Sequence, residues 1–238
     1  MSRSEIPRVI LAIEASTPAA SVAVRDPEGT LFERTVPTGD RSRDHLPPAI
    51  EDLLRDANID RRGLHGIAVS EGPGGFTGLR ISVALAQGIA EALRIPTLGV
   101  ASAAVAAAGT LDEMDRRDAL VVMATKRGTA WVERVESVGR PPRRISSGGR
   151  IVDHGTAPDV AIEEGVVLAD PRQDPSVVAA LTAGAATTVE PRFSAAALLG
   201  IAERTPPDAG WGDPARLAVR YPRVPEAVSK WRAASVDR

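Results

Sequence analysis

Gly72-Pro73-Gly74-Gly75-Phe76-Thr77-Gly78-Leu79-Arg80 joins a short apolar run, Gly66-Ile67-Ala68-Val69-Ser70, to a longer apolar stretch from Leu79 to Leu93. The run before it is β-branched and uninterrupted, as expected of a strand buried on both faces of a mostly parallel sheet. The stretch after it is free of proline and long enough for about four helical turns. Gly72, Gly74, Gly75 and Gly78 let the backbone take positive φ or approach another group closely. Two readings of this turn stand side by side. A helix start presents unpartnered N–H groups, so such a turn can hold an anion; a tight connection whose glycines only permit close packing uses the same residues. The spacing is neither GxGxxG nor that of a phosphate-binding GxxxxGKS or GxxxxGKT loop, so both of those motifs fit poorly.

Upstream, Val9 to Ile13 and Ser21 to Val24 read as strands, and the turn signal Asp26-Pro27-Glu28-Gly29 folds the second back onto a third, Thr30 to Val36. A helix is expected over about His45 to Asn58, with Asp44 as N-cap, Pro47 and Pro48 in the first turn, and Leu46, Ala49, Ile50, Leu53, Leu54 and Ala57 on one stripe. Downstream, Pro96 to Val100 completes a strand, turn, helix, strand unit with a right-handed parallel crossover. The helix from Leu79 is apolar nearly all round. It carries two stripes of small side chains, Ser82, Ala86, Ala90 and Ala84, Gly88, Ala92. Such a helix is either covered on most of its circumference by its own fold or reserves one stripe for another chain.

The second half is less regular. Ala101 to Ala108 reads as an alanine-rich helix, Ala119 to Ala124 and Ala130 to Val135 as a hairpin, Val166 to Ala169 and Thr187 to Val189 as short strands, and Ser194 to Glu203 as the last helix. Between Gly139 and Val166 only Pro, Gly and Ser punctuation is legible. The tail from Pro206 is proline-rich and carries Arg216, Arg220, Arg223, Lys230 and Arg232, either a solvated end or a contact for RNA.

Composition narrows the class. The 238 residues, 43% hydrophobic, can form one large domain or two small lobes. A formal charge of -2, from 29 basic and 31 acidic residues, sets up no net field for nucleic acid or anionic lipid. With no cysteine there is neither a disulfide nor a thiolate metal site nor a cysteine nucleophile. His45, His65 and His154 are scattered without helical spacing, which argues against a metalloprotease. The start lacks a signal-peptide core and no stretch of about 18 apolar residues occurs, so a cytoplasmic protein without a membrane partner is expected.

Two lobes, each opening on a hairpin, suggest the duplicated actin-like ATPase architecture (ASKHA, ribonuclease H-like): an α/β fold with a mixed sheet and flanking helices in each lobe. Ile10-Leu11-Ala12-Ile13-Glu14-Ala15-Ser16-Thr17, Ser21 to Val24, His45-Leu46-Pro47, Gly72 to Arg80, Ile95-Pro96 and Gly99-Val100-Ala101-Ser102 together resemble the TsaB family, also called YeaZ. The resemblance is dense over residues 9 to 106. Beyond that it is confined to Arg127-Gly128 and Val219-Arg220-Tyr221. It implies an N-terminal lobe over 1–106 that carries the dimerisation helices and a divergent C-terminal lobe over 107–238.

What the resemblance implies is a non-catalytic paralogue of TsaD, the subunit that transfers the threonylcarbamoyl group to tRNA. TsaD carries a metal-binding HxxxH, where this chain has Ala101-Ser102-Ala103-Ala104-Val105-Ala106-Ala107-Ala108. The family's subunits pair through their two N-terminal helices. The surface for TsaD, or for a homodimer when TsaD is absent, is therefore expected around Leu46, Ile50, Leu53, Leu54, Leu79, Val83, Ala86 and Ala90. TsaE is expected to join through the pair, and tRNA only indirectly. The actin-like nucleotide position maps onto Glu14, Ser16, Thr17, Gly72, Gly74, Gly75, Thr77 and Gly78. Glutamate stands where the family shows aspartate, Thr125-Lys126-Arg127-Gly128 lacks the second lobe's acid, and Trp131 stands near the family's tyrosine. Phosphoryl transfer needs a positioned Mg²⁺ and a group that orients the nucleophile, so no cofactor of the chain's own is implied; an ATP or ADP, if bound, lies at the joint surface with partner subunits. The alternatives are a glycoprotease-like peptidase acting on a resuscitation-promoting factor and a standalone nucleotide-binding sensor.

Overall fold

A computed structural model describes residues 9–36, 45–112, 114, 116–125, 128–138, 143–182 and 186–222. The first half runs β1 (Ile10–Glu14), β2 (Ser21–Arg25), β3 (Leu31–Thr35), α1 (Leu46–Asp56), β4 (Gly66–Gly72), α2 (Phe76–Leu93), β5 (Thr97–Ala101) and α3 (Ser102–Leu111). The second runs β6 (Asp118–Ala124), β7 (Thr129–Val138), β8 (Arg143–Asp153), β9 (Val166–Ala169), α4 (Pro175–Leu181), β10 (Thr187–Val189) and α5 (Ala195–Glu203). The strands form two five-stranded sheets, β3-β2-β1-β4-β5 and β10-β9-β6-β7-β8. Read from opposite edges, the orders are the same: an antiparallel meander of three strands whose first member then pairs in parallel with the fourth. This is the expected duplicated actin-like arrangement.

Local sequence explains the placements. β1 and β4 are buried along nearly their whole length and lie at the centre of the first sheet, in register from Ile10 with Gly66 to Ile13 with Val69. β3 exposes Leu31, Glu33 and Thr35 alternately, as an edge strand with one wet face does. The Asp26–Gly29 turn closes through a Gly29 N–H bond to the Asp26 carbonyl and a Thr30 N–H bond to the Asp26 carboxylate.

Five layers result. α1 and α2 cover the outer face of the first sheet over Leu11, Ile13, Val22, Val24, Ile67 and Val69. Its inner face, with Ile10, Ala12, Ala68, Leu98 and Val100, meets Ala104, Val105 and Ala108 of α3 and Leu198, Leu199 and Ala202 of α5. The other flank of α3, Ala103, Ala106, Ala107 and Leu111, packs on Val121, Met123, Trp131 and Leu168 of the second sheet. α4 closes the far side with Val177 and Leu181. A helix buried on every side between two sheets needs small side chains, which accounts for the alanine run.

Three expectations need correction. The boundary between 106 and 107 falls inside α3, and α5, which follows the second sheet in the chain, packs on β1 and β2 of the first. β8 and α4 were not foreseen. α2 begins at Phe76, three residues before the expected start, so Thr77 and Gly78 lie in its first turn. The expected N-cap Asp44, the turn residues Lys126 and Arg127, and the basic residues Arg223, Lys230 and Arg232 lie outside the described residues. Among the described residues no helix is long and apolar enough to cross a membrane.

Candidate functional site

The carboxyl ends of β1 and β4 bring most of the expected nucleotide residues together, and there they fill one another's space. Glu14 is fully buried and accepts hydrogen bonds from the backbone N–H of Ser16 at 2.7 Å and from its hydroxyl. Burial pushes its carboxyl above the ordinary range, against the pull of the bonds from Ser16. Thr17 turns its hydroxyl to the Ala19 carbonyl at 3.1 Å. Gly75, which caps α2, donates its N–H to the Ser16 carbonyl at 2.7 Å. A Cβ on Gly74 would overlap that same carbonyl.

Gly72 serves a different neighbour. Its φ is +109°, and a Cβ there would stand 2.6 Å from the Arg220 carbonyl oxygen. Thr77 is exposed on the first turn of α2 and Gly78 is buried in it. A phosphate would need free N–H groups at this helix start and an acid reaching solvent. The Gly75 N–H is taken by Ser16 and Glu14 is enclosed, which is the close approach that one of the two readings of the turn expects. In the second lobe, Thr125 spends its hydroxyl on the Thr129 carbonyl and hydroxyl, each at 2.8 Å. Among the described residues no group of three or more His, Asp or Glu is arranged to hold a metal.

The segment lying on Gly72 is a strap formed by residues 211–221. It pairs with β5 through reciprocal Thr97 and Gly212 bonds of 3.0 and 2.9 Å. The Gln87 side-chain amide on α2 then donates to the Pro214 and Leu217 carbonyls, both at 3.0 Å. Arg220 donates its N–H to the Glu71 carbonyl and its guanidinium to the Glu71 carboxylate, both at 2.6 Å. Tyr221 ends the path. Its hydroxyl accepts from Arg80 at 2.7 Å, and its ring centre lies 5.6 Å from that of Phe76, over which the Arg80 guanidinium sits at 4.1 Å. Two stretches that carried the family resemblance, Gly72 to Arg80 and Val219 to Tyr221, are thus in direct contact.

The helices correct the expected partner surface residue by residue. Leu46, Ile50, Leu53 and Leu54 of α1 and Leu79, Val83, Ala86 and Ala90 of α2 are all buried in the chain's own interior. The outer face of the first sheet must be covered, and the larger apolar residues of both helices do that first. On α1 the outward residues are Pro47, Pro48, Glu51, Arg55 and Asp56. Arg34 reaches Asp56 and Asp52, and Arg55 bonds Asp52 at 2.6 Å, so this face is mostly charged. α2 differs. Phe76, Arg80, Ala84, Gly88 and Ala92, four residues apart, form an exposed ridge flanked by half-buried Ile81, Leu85 and Ile89. Phe76 is 56% exposed, and a Cβ on Gly88 would meet none of the described residues within 4 Å. The sequence carried the signal for this ridge in its second small-residue stripe.

Comparison with known proteins follows the same lines. The family described as TsaD, tRNA N6-adenosine threonylcarbamoyltransferase, matches residues 37–140. A protein of Buchnera aphidicola subsp. Acyrthosiphon pisum named tRNA threonylcarbamoyladenosine biosynthesis protein TsaB is 29% identical over 126 residues, 52% of this chain and 57% of the relative. The TsaB protein of Escherichia coli K12 is 28% identical over 182 residues, 68% of this chain and 78% of the relative. An uncharacterised protein of Mycobacterium tuberculosis H37Rv is 32% identical over 181 residues, 74% of this chain and 82% of the relative. The chain thus spans less than two thirds of the first of these relatives, though more of the other two. Among solved structures, a Pseudomonas aeruginosa protein described as similar to the peptidase YeaZ superposes with a TM-score of 0.76 at 21% identity, over 91% of this chain and all of that one. YeaZ from the same organism gives 0.71 at 20%, over 90% and 99%. At these identities the structures speak for the fold.

Proposed function

Because this chain belongs to the TsaB (YeaZ) family, we propose that it is the non-catalytic companion of TsaD in the making of threonylcarbamoyladenosine in tRNA. Its part is to present a docking surface, and the outward ridge of α2 is that surface. TsaE joins the assembled pair, tRNA meets the chain only through it, and two copies share the same ridge when TsaD is absent. Any ATP or ADP belongs to the joint surface of the assembled subunits.

The observation that carries this reading is Gly88. A glycine inside a helix costs about 1 kcal/mol relative to alanine, and nothing among the described residues occupies the space that a Cβ would take. Between Ala84 and Ala92 it leaves a shallow seam along which a second helix backbone can approach closely. Helix pairs that pack in this way exclude water along the seam and gain from many small dispersion contacts.

The test is an arginine substitution on the outward ridge of α2. Ala84→Arg adds a charge to an exposed position, so the protein keeps its melting temperature within about 2 °C, in line with a surface change of about 0.5 kcal/mol or less, and it loses TsaD on co-purification. Full TsaD yield with Ala84→Arg removes the ridge from the interface. A wild-type chain that fails to bind TsaD of its own organism removes the companion role altogether.

A further inference from the structure

Glu91 of α2 stands exposed beside Ala92, at the end of the ridge remote from Phe76. Arg80, Ala84, Gly88 and Glu91 follow one another at spacings of four, four and three, so they form one exposed stripe of the helix. Its two charged members are opposite in sign and lie three turns apart, about 16 Å along the axis. Arg80 is held in place: it donates from Nε to the Tyr221 hydroxyl at 2.7 Å, and its guanidinium lies over the Phe76 ring at 4.1 Å. Among the described residues its two terminal NH2 groups have no acceptor, and the Glu91 carboxylate has no donor. Each of these charges needs a counter-charge once a second surface excludes water from the stripe. One surface carries both at the required distance: the same stripe turned end for end.

We propose that the stripe matches itself: a second copy of this chain lies antiparallel along α2, about a two-fold axis that crosses between Ala84 and Gly88, and Arg80 of each copy pairs with Glu91 of the other. This rests on the reading of the ridge as a docking surface and adds the polarity and register of the pairing. In such a contact residue i of one copy meets j of the other and j meets i. An axis midway between Arg80 and Glu91 falls within the Ala84–Gly88 segment, so the two helices approach most closely where their side chains are smallest. A parallel pairing would set Arg80 against Arg80 and Glu91 against Glu91, and like charges repel. Phe76 and Tyr221 fix Arg80 before the second copy arrives, which lowers the ordering cost of the pair. The terminal NH2 groups left outward form the fork that takes a carboxylate. Half-buried Ile81, Leu85 and Ile89 beside the stripe supply apolar area to the contact.

Charge exchange on the full chain, in the absence of TsaD, tests the register by sedimentation equilibrium. The wild type is expected to be a dimer. Arg80→Glu sets acid against acid at both contacts and Glu91→Arg sets base against base, so each alone should raise the dimer dissociation constant about tenfold or more. An equimolar mixture of the two variants should dimerise again, because every contact in the mixed dimer joins one acid to one base. A variant that is merely damaged is not repaired by mixing. A monomeric wild type, single variants that dimerise as the wild type does, or a mixture no tighter than its components overturns the register. Glu91→Arg leaves Phe76 and Tyr221 untouched, so it decides alone if Arg80→Glu does not fold: a weakened dimer supports the register and an unchanged one overturns it. The companion role fails separately. A monomeric wild type that still binds TsaD overturns the pairing alone, whereas a dimeric wild type that binds no TsaD overturns only the companion role.

Discussion

Gly74 and Gly88 show how the same residue type is required from inside a fold at one position and from outside at another. A Cβ on Gly74 would overlap the Ser16 carbonyl, backbone against backbone, with no flexible side chain to move aside. Gly74→Ala should therefore lose about 1–3 kcal/mol in a denaturant titration. Gly88→Ala meets nothing, so it should gain about 1 kcal/mol in the isolated chain while weakening the TsaD complex; a loss of stability would mean that the helix needs its glycine for itself. Glu14 sets a pH dependence whose sign follows from its burial. Its pKa in the folded state lies above the unfolded value, so the folded form binds the proton more tightly. That contribution to stability is complete below the unfolded pKa and is lost as pH rises through the folded one. Glu14→Gln should consequently gain on the wild type near pH 7 and converge with it near pH 4, as read from urea midpoints. The glycine turn was legible in the sequence as a strand-to-helix connection. The resemblance already set Ser16 beside it, but Arg220 was not legible there, because the strap brings it from a distant part of the chain.

At the scale of the element, α2 shows what periodicity can and cannot decide. Its length and its two small stripes stand out in the sequence, but a helix apolar nearly all round gives no rule for which stripe turns inward. The structure decides by size: Leu79 and Val83 fill the space under the sheet, and Ala84, Gly88 and Ala92 are left outside. Ala86→Arg accordingly differs in kind from Ala84→Arg. Ala86 is fully buried, so a charge there is uncompensated in the interior and costs several kcal/mol; Ala86→Arg should be recovered largely insoluble, and a soluble variant with an unchanged melting temperature would contradict the packing. The buried strands β1, β4 and β6 are legible because their runs are continuous and apolar. β8, Arg143–Asp153, is not. It is an edge strand of mixed polar sequence held by its ladder to β7, with no hydrophobic pattern of its own. The seven residues of α4 are too few to show a period.

For the whole molecule, the repeated strand order was legible as two hairpin-led halves, whereas the exchange of helices between them was not. α3 serves both sheets, and α5 comes from the second half to cover the first sheet. Ala195 donates its N–H to the Ser21 hydroxyl at 2.8 Å, and Glu203 pairs with Arg25 at 2.8 Å. A fragment ending at residue 112 lacks α5 and leaves Ile10, Ala12 and Ala68 open on one face. Such a fragment should show no cooperative melting by circular dichroism and should elute as aggregate; a cooperative, monomeric fragment would mean that the first sheet needs no helix from the second half. The reach of α5 also bears on how the protein is born. A ribosome releases the chain from its N-terminus, so the central strands emerge early and wait, one side uncovered, until Glu203 has cleared the exit tunnel. During that interval the greasy inner surface is what a trigger chaperone or a protease would meet, and arrested nascent chains shorter than the full α5 should be cut readily where finished ones resist.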